Sequence, residues 1–407
     1  MGRGARVALG FFIWAAAGLA QEFHVYVGQI TADSVLLAWG KAAGSGNVIG
    51  RDSVPWGKAS VKVGERTVAA ERNWAMVEGL AADTEYPYQI TLNGVKIGEG
   101  QVRTYPQRAR RLTFFVIGDW GSGDSQQYRV AEAMWNEFSR RQDPVRFVLT
   151  TGDNIYADTV LGMPAGGSGN RDRHWRKKFF LPYERLLRRI PFYPSPGNHD
   201  GNESEGLSDL DVYLDNFFFP GNRPARYYQF SFGGLADFFS LDSTENTTHG
   251  LPAPFYLEEG EQFGWMQQAM AASKARWKIP YFHHAVLTAG PEHPPMVREL
   301  AHWAKLFVTA GVKVVFNGHE HNFQFSERNP ATGGICWVVT GAGGQSRPGN
   351  IAKRMAEAQI AGWSAAPHFL VVEIEDRTMR ITPVGTDGEA AVTDSKGGRV
   401  RTPIEVK

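Results

Sequence analysis

Short apolar stretches that end in a polar turn recur through the last three quarters of the chain, alternating with segments of helical periodicity. One stretch, Val312–Phe316, is rich in β-branched and aromatic residues, which indicates a buried strand. It runs into a turn that carries two histidines, His319 and His321. Alternating strands and helices favour an α/β layered fold. In open α/β sheets ligands bind beyond the carboxyl ends of the strands, so the polar turns are expected to converge at one site.

The side chains of these turns form a mixed set of possible metal ligands, with carboxylates, an amide oxygen and imidazoles but no thiolate. This mixture suits Fe, Mn or Zn and argues against a structural zinc site. There are more candidates than one ion can take, and a carboxylate can bridge two ions, so the sequence predicts a dinuclear centre. The candidates are Asp119, Asp153, Asn198, His283, His319 and His321.

Residues 21–107 follow a different pattern, in which short strands are separated by turns. The spacing predicts an all-β sandwich domain. The segment Gly79–Ile90 resembles the corner of a fibronectin type III domain, where Leu80 would enter the core and the Tyr86 hydroxyl would form a hydrogen bond. Because this region has no cluster of His, Asp or Glu, we expect a packing or positioning role. Tyr105–Arg111 is predicted to be the linker to the second domain.

The N-terminus has the pattern of a secretory signal. Two arginines, Arg3 and Arg6, precede an apolar stretch of 13 residues, Val7–Leu19, which is short for a transmembrane helix. Small residues follow, so residues 1–20 are predicted to be a signal peptide cleaved near Ala20, and the protein to be secreted or periplasmic. An uncleaved anchor is the alternative.

The charge balance and the cysteine content exclude several classes of protein. With 43 Lys and Arg against 42 Asp and Glu, the formal charge is +1, so neither nucleic acid nor an anionic membrane is an expected partner. The single cysteine, Cys336, cannot form an internal disulfide. It lies in an apolar stretch and is predicted to be a buried structural thiol. The sequence leaves the oligomeric state open.

Five motifs, in this order along the chain, resemble the blocks of the calcineurin-like metallophosphoesterases: GDWG, GDNIY, GNHD, the histidine after IPYF, and GHEHN. Tyr156, three residues after Asp153, is similar to the tyrosine with which purple acid phosphatases bind ferric iron. The resemblance implies an α/β (α+β) four-layer domain over residues 111–386, in which a sandwich of two β-sheets is flanked by helices. Residues 387–407 are then expected to be a C-terminal tail.

The resemblance implies two adjacent metal sites that share one carboxylate. The Fe(III) site would contain Asp119, Asp153, Tyr156 and His321. The site for a divalent Fe, Zn or Mn ion would contain Asp153, Asn198, His283 and His319. A phenol with a reference pKa of about 10 ionises at working pH only beside a strong Lewis acid, which agrees with a ferric site. Family spacing favours His283, and the adjacent His284 is the alternative.

The implied activity is that of a secreted dinuclear acid phosphatase, which hydrolyses phosphate monoesters by attack of a metal-bound hydroxide. His199 and His293 are predicted to be catalytic residues that contact the phosphate or protonate the leaving group, and Asn198 to contact the substrate as well. The expected partner is a small phosphate ester. The alternatives are a phosphodiesterase or nucleotide phosphatase on the same scaffold, and a secreted binding protein that uses the β-sandwich.

Overall fold

The computed structural model of the chain describes residues 23–41, 57–156, 159–160, 163–164, 175–201, 210–246, 256–290, 292–347 and 349–407. The predicted signal peptide, residues 1–20, lies outside this part of the chain. None of the helices in the described ranges is both long and apolar enough to cross a lipid bilayer.

Two antiparallel sheets form the N-terminal domain, which confirms the prediction of an all-β unit. The strands are β1 (His24–Ile30), β2 (Ser34–Gly40), β3 (Ala59–Val63), β4 (Arg66–Ala70), β5 (Trp74–Glu78), β6 (Glu85–Leu92) and β7 (Val95–Arg103). One sheet has the order β1-β2-β5 and the other the order β4-β3-β6-β7. Strand β4 was not predicted, because it is a largely exposed edge strand without apolar alternation.

The corner between β5 and β6 has the predicted contacts. Leu80 is buried in the core. The Tyr86 hydroxyl accepts a hydrogen bond of 2.9 Å from the backbone N–H of Ala81. The bond connects the start of β6 to the preceding turn and so fixes the angle at which the strand enters its sheet.

The second domain contains two mixed sheets and six α-helices within the described residues. Its first strands are β8 (Arg111–Ile117), β9 (Val145–Thr150), β10 (Thr159–Val160), β11 (Met163–Pro164), β12 (Phe192–Pro194), β13 (Tyr228–Phe232), β14 (Ala236–Ser240), β15 (Trp277–Tyr281) and β16 (Val314–Asn317). The remaining strands are β17 (Phe323–Ser326), β18 (Cys336–Thr340), β19 (Ile360–Ser364), β20 (His368–Glu375), β21 (Thr378–Gly385), β22 (Gly388–Glu389), β23 (Val392–Thr393), β24 (Arg399–Val400) and β25 (Ile404–Val406).

The helices are short apart from the first, which is capped by Asp124. They are α1 (Ser125–Arg140), α2 (Glu184–Leu187), α3 (Asp211–Asn216), α4 (Glu261–Ala272), α5 (Ala301–Thr309) and α6 (Ala352–Met355). A π-helical turn spans Arg176–Phe180, and 3₁₀ turns span Pro220–Asn222 and Pro330–Thr332. Residues 175–189 therefore do not form one continuous helix.

The two large sheets pack face to face through an aromatic core. The first has the order β12-β9-β8-β20-β21-β22, with β25 also paired to β21, and the second the order β13-β14-β15-β16-β18-β17-β19-β23-β24. Between them, the Phe114 ring of β8 lies 5.3 Å from the Phe238 ring of β14 and 6.4 Å from the Phe316 ring of β16, centroid to centroid. Both faces of the central strands are covered, and β9, β16 and β18 are buried along their whole length.

Helices cover the outer faces, which gives the expected four layers. Adjacent side chains of a strand point to opposite faces of the sheet. The residues next to Phe238 and Phe316 therefore point to the outer face of the second sheet. Phe239 and Val315 pack there with Met266 of α4 and Phe307 of α5. Helix α1 lies against β20 and β21 of the first sheet. Cys336 is buried in β18, as predicted, and burial raises the pKa of its thiol to about 12.

Residues 387–407 are part of both sheets and not a separate tail. Strands β22 and β25 both pair with β21 of the first sheet. Strand β23 pairs with β19 of the second sheet, and β24 pairs with β23. Strands of two or three residues carry too little hydrophobic alternation to be recognised in a sequence.

The N-terminal domain packs directly on the second domain. The Tyr26 hydroxyl donates to the backbone oxygen of Asn216 at 2.6 Å, and the Tyr88 hydroxyl donates to that of Arg188 at 3.0 Å. In the linker, the buried Tyr105 hydroxyl lies 3.2 Å from that of Tyr193. One hydrophobic cluster continues from one domain to the other, so the two domains share a core.

Candidate metal centre

The parallel strands place their polar turns at one edge of the sandwich. Strands β8, β9 and β12 run parallel in the first sheet, and β14, β15, β16 and β18 run parallel in the second. The turns that follow β8, β9, β12, β15 and β16 carry the predicted ligands. Residues far apart in the sequence, such as Asp119 and His319 with a separation of 200 positions, therefore meet there.

One group of side chains surrounds Tyr156. Its hydroxyl oxygen lies 3.2 Å from Oδ1 of Asp119 and 3.1 Å from Nε2 of His321. The same Nε2 atom lies 3.4 Å from Oδ1 of Asp119. Carboxylate oxygens of Asp119 and Asp153 and a ring nitrogen of His321 all lie within 4.8 Å of one another. These are the four residues predicted for the ferric site.

A second group surrounds the side-chain oxygen of Asn198. This Oδ1 atom lies 2.8 Å from Nε2 of His283 and 3.1 Å from Nδ1 of His319. The two imidazole nitrogens are 3.1 Å apart. Nε2 of His283 also lies 3.4 Å from Oδ1 of Asp153. Asp153 therefore adjoins both groups, which is the position that a bridging carboxylate would need.

The structure distinguishes His283 from His284. Nδ1 of His283 lies 2.9 Å from the backbone oxygen of Thr151, which can only accept, so the ring proton is on Nδ1 and Nε2 is free toward the cluster. His284 instead places Nδ1 3.0 Å from the Ser243 hydroxyl, and its ring packs on His319 at 4.4 Å. His283 therefore lies in the group around Asn198, whereas His284 packs on this group through the ring of His319.

The spacing and burial of these atoms fit metal ions. Donor atoms bound to one ion at about 2.1 Å lie roughly 3.0–3.4 Å apart at angles of about 90–110°. The pairs given above are 2.8–3.4 Å apart, and the donors of Asp119, Asp153 and His321 all lie within 4.8 Å of one another. Asp119 and Asp153 are 0% and 1% exposed, and no lysine or arginine among the described residues forms an ion pair with either. Buried carboxylates without a positive partner are costly, and cations between them would compensate the charge.

The pKa values of the side chains in the cluster also favour bound metal ions. Burial, followed by the carboxylates of Asp119 and Asp153, raises the pKa of Tyr156 well above its ordinary value, so the phenol needs a nearby cation to ionise. Burial lowers the pKa of His321 to about 4 and that of His319 well below its ordinary value. Both imidazoles are therefore neutral at neutral pH, as metal ligands must be.

The backbone at three of these positions is strained. Asp119, Asp153 and His319 have φ angles of 53°, 49° and 72°, in the left-handed region that residues with a Cβ rarely adopt. Each lies in the turn that follows a strand of the sandwich. Such strain persists only where the surrounding structure imposes it, and it is concentrated at functional sites.

Comparison with known proteins decides the family. The sequence model of the family described as calcineurin-like phosphoesterase matches residues 112–323, which is more than half of the chain. The chain belongs to the calcineurin-like phosphoesterases. Human tartrate-resistant acid phosphatase type 5 is 25% identical over 69% of this chain and 89% of its own length.

Solved structures support the same fold for this phosphoesterase. The structure of purple acid phosphatase PPD1 from yellow lupin (Lupinus luteus) seeds matches 94% of this chain and 73% of its own, with a TM-score of 0.66 and 15% identity. The structure of PhoD matches 94% of this chain and 92% of its own, with a TM-score of 0.65 and 15% identity. The matches extend across both domains, so the fold of each domain is shared.

Two glycines allow the turns of the phosphoesterase to approach one another. A Cβ atom on Gly197 would lie 2.1 Å from the backbone nitrogen of Asp153 and 2.3 Å from its Oδ1. A Cβ atom on Gly318 would lie 2.5 Å from Oδ2 of Asp119. Any side chain at either position would displace a carboxylate of the cluster.

Asp200 holds two of the turns together, and its role was not predicted. Its carboxylate accepts hydrogen bonds from the backbone N–H of Gly197 at 2.7 Å and of Asn154 at 3.0 Å, and from the Asn154 amide at 2.8 Å. The residue is fully buried. It therefore positions both Asp153 and Asn198, each of which adjoins one of these donors. Its place in the GNHD motif was the available signal.

The two predicted catalytic histidines lie on different sides of the cluster. The ring of His199 lies 4.8 Å from that of Tyr156, and its backbone N–H donates to Oδ1 of Asp153 at 2.9 Å. The ring of His293 packs on that of His319 at 3.8 Å. Both predicted residues are therefore within reach of a molecule bound at the cluster.

Arg347 is a site residue that no sequence pattern indicated. Its Nη1 donates to Nε2 of His293 at 2.8 Å, and its backbone N–H donates to the oxygen of His321 at 2.9 Å. Burial, followed by the positive charge of Arg347, lowers the pKa of His293 to about 4. The glycine-rich turn before Arg347 places this residue beside His293, because the backbone N–H of Gly344 donates to the backbone oxygen of Asp119 at 2.9 Å.

Proposed function

We propose that the protein is a secreted, dinuclear acid phosphatase of the purple type, which hydrolyses phosphate monoesters. The observation that carries this proposal is the arrangement of seven side chains in two groups that share Asp153. The phosphoesterase family supplies the reaction class, and the similarity to tartrate-resistant acid phosphatases supports monoesters as substrates.

The donor set favours different ions for the two groups. Tyr156 adds a phenol to the first group, which suits Fe(III), a hard and strongly acidic ion. The second group contains two imidazoles and an amide oxygen and suits a divalent Fe, Zn or Mn ion. When bound, the two ions supply charge neutralisation for a phosphoryl group and an activated water.

The chain's own residues would bind and orient the substrate around these ions. The guanidinium group of Arg347 has only donors, so Nε2 of His293 accepts and the ring proton is on Nδ1. His293 can therefore donate to a phosphoryl or leaving-group oxygen. His199, beside Tyr156, offers a second donor, and the Asn198 amide nitrogen a third, since its oxygen faces the imidazoles.

The N-terminal domain is proposed to be a fibronectin type III-like packing module. Its strand orders β1-β2-β5 and β4-β3-β6-β7, together with the Tyr86 corner, support this assignment. It contacts the second domain through Tyr88, at Arg188, and through Tyr26, at Asn216, which lie before and after Asn198 in the sequence. Secretion is proposed from the N-terminal sequence alone.

Metal analysis combined with substrate profiling tests the proposal. We expect two metal ions per chain, at least one of them iron, and a kcat/KM for phenyl phosphate that is at least tenfold higher than for diphenyl phosphate. Removal of the metals by a chelator should abolish hydrolysis, and iron with zinc should restore it. Preference for the diester would contradict the monoesterase assignment, and full activity without metal would contradict the dinuclear site.

A further inference from the structure

A cavity of about 550 Å³ lies beside the metal-ligand cluster, between the segment that follows β15 and the turn that follows α6. We call it the His293 cavity, because His293 is one of its lining residues. One part of the wall is apolar and is formed by Leu287, Ala289, Pro294, Pro295, Val297 and Ala358. Glu292, Arg354 and Glu357 supply charge elsewhere in the wall. Its size is within the range of cavities that hold small organic ligands.

His293 separates the cavity from the cluster. Its ring packs at 3.8 Å on His319, whose Nδ1 lies 3.1 Å from Nε2 of His283. The cavity therefore begins one ring away from the predicted ligands of the divalent site. A phosphate ester bound by those ligands has to extend its alcohol group in some direction, and His293 borders both the ligand cluster and this space.

Several contacts fix the position of His293 between the ligand cluster and the cavity. Nε2 of His293 accepts from Arg347 at 2.8 Å, and its backbone N–H donates to Oε2 of Glu320 at 3.1 Å. Arg354 donates to the backbone oxygen of Gly290 at 3.1 Å, which connects the two segments that line the cavity. The cavity is thus a built feature of the fold, and His293 is held at its border with the ligand cluster.

Val297 contributes exposed apolar surface to the wall of the cavity. It is 45% exposed, which is unusual for a large apolar side chain, and it lines the cavity. A small polar alcohol such as glycerol would gain little from this surface. An apolar alcohol would gain the free energy of removing both surfaces from water.

We propose that the His293 cavity is the leaving-group subsite, and that the preferred substrates are phosphate monoesters of apolar alcohols. This inference rests on the proposed monoesterase function, because it concerns the group that departs in that reaction. Attack of water on phosphorus breaks the bond to the ester oxygen, which leaves as the alcohol after taking up a proton. The products are inorganic phosphate and an apolar alcohol, which lies beside His293 when it forms.

A series of n-alkyl phosphates tests the proposal with the metal-loaded enzyme. We expect kcat/KM to rise roughly two- to fourfold for each added methylene from ethyl to hexyl phosphate. Glycerol phosphate should lie near the ethyl ester. Val297→Glu, which puts a carboxylate on the wall, should lower the ratio of kcat/KM for hexyl to that for ethyl phosphate about tenfold.

Val308→Glu is the matched control. Val308 is 49% exposed, close to the 45% of Val297, but it does not line the His293 cavity. This variant should keep the wild-type ratio. If the wild-type enzyme hydrolyses all the esters equally well, or if both variants change the ratio to the same extent, the subsite assignment is overturned while the monoesterase function stands. If none of the monoesters is hydrolysed, the proposed function fails, and the subsite with it.

Discussion

The hydroxyl oxygen of Tyr156 lies 3.1 Å from Nε2 of His321, although 165 positions separate the two residues in the sequence. Tyr156 follows β9 of the first sheet and His321 follows β16 of the second, so this contact joins the two halves of the sandwich at its catalytic edge. Because the phenol is buried between two carboxylates, its ionisation depends on a cation. The contact therefore links the fold to a specific metal chemistry.

Loss of a ligand should remove metal and activity together. We expect Asn198→Ala and His319→Ala each to lower the metal content to about one ion per chain and kcat by at least about 100-fold, because each removes a donor from the second group. Elemental analysis and phosphatase assays measure both quantities. His302→Ala, at a histidine whose Nε2 contacts the backbone oxygen of Tyr256, should keep both metals. Two full metal sites in the ligand variants would refute the assignment.

Replacement of His293 should separate binding of the metals from stabilisation of the leaving group. His293→Ala keeps every predicted ligand, so the metal content should not change. Because the neutral ring donates a hydrogen bond to the leaving oxygen as negative charge develops there, kcat for an alkyl phosphate should fall about 10- to 100-fold. The value for p-nitrophenyl phosphate should fall far less, because nitrophenolate needs no such donor to leave. Equal losses for the two esters would assign His293 to substrate binding alone.

Asp200→Asn should weaken metal binding without touching a ligand. Asn has one acceptor oxygen, so at least one of the donors on Gly197 and Asn154 would face an amide N–H group. We expect a loss of about 1–3 kcal/mol in the free energy of unfolding and roughly 10–100-fold in metal affinity. Denaturant titration of the metal-free protein and a metal titration measure these effects. Wild-type values in both would show that the carboxylate is dispensable.

His368 should make the fold sensitive to acid. It is buried, with Nδ1 2.9 Å from the oxygen of Ala366 and Nε2 3.0 Å from the Thr340 hydroxyl, and burial lowers its pKa from 6.5 to about 4. The unfolded chain binds the proton more readily, so this stability is present above pH 6.5 and is lost as the pH falls through about 4. The contribution is at most about 3 kcal/mol.

The matching experiment compares the wild type with His368→Gln by denaturant unfolding between pH 7 and pH 4.5. The wild type should lose more stability over this range than the variant does, because glutamine does not titrate. Titration of the other histidines is common to both proteins and cancels in the difference. Parallel curves would mean that His368 is solvated in the native state.

Much of the architecture could be predicted because it depends on local pattern. The continuous apolar runs of β8 and β16 identified the buried strands, and the turn after each strand identified the ligand positions. The motif spacing favoured His283 over His284, and the hydrogen bond of His283 to Thr151 then distinguished the two. Strand β4 and strands β22–β25 were not recognised, because exposed or very short edge strands have no hydrophobic alternation.

The rest of the site depends on contacts that no local pattern records. Arg347 reaches His293 only because the glycine-rich turn before it is hydrogen-bonded to Asp119. The left-handed backbone at Asp119 and Asp153 is imposed by neighbouring turns and does not follow from the identity of the residue. The His293 cavity forms between two segments that are distant in sequence. Such features arise from packing and require three-dimensional coordinates.

The visible absorption spectrum of the iron-loaded protein shows directly whether Tyr156 binds Fe(III). If the Tyr156 phenolate binds Fe(III), the oxidised wild type should show a charge-transfer band in the visible range, and Tyr156→Phe should lose the band while it keeps iron. Phe lacks only the hydroxyl, so the packing beside His199 and His321 is preserved. A colourless oxidised wild type with both metals bound, or an unchanged band in Tyr156→Phe, would contradict the account.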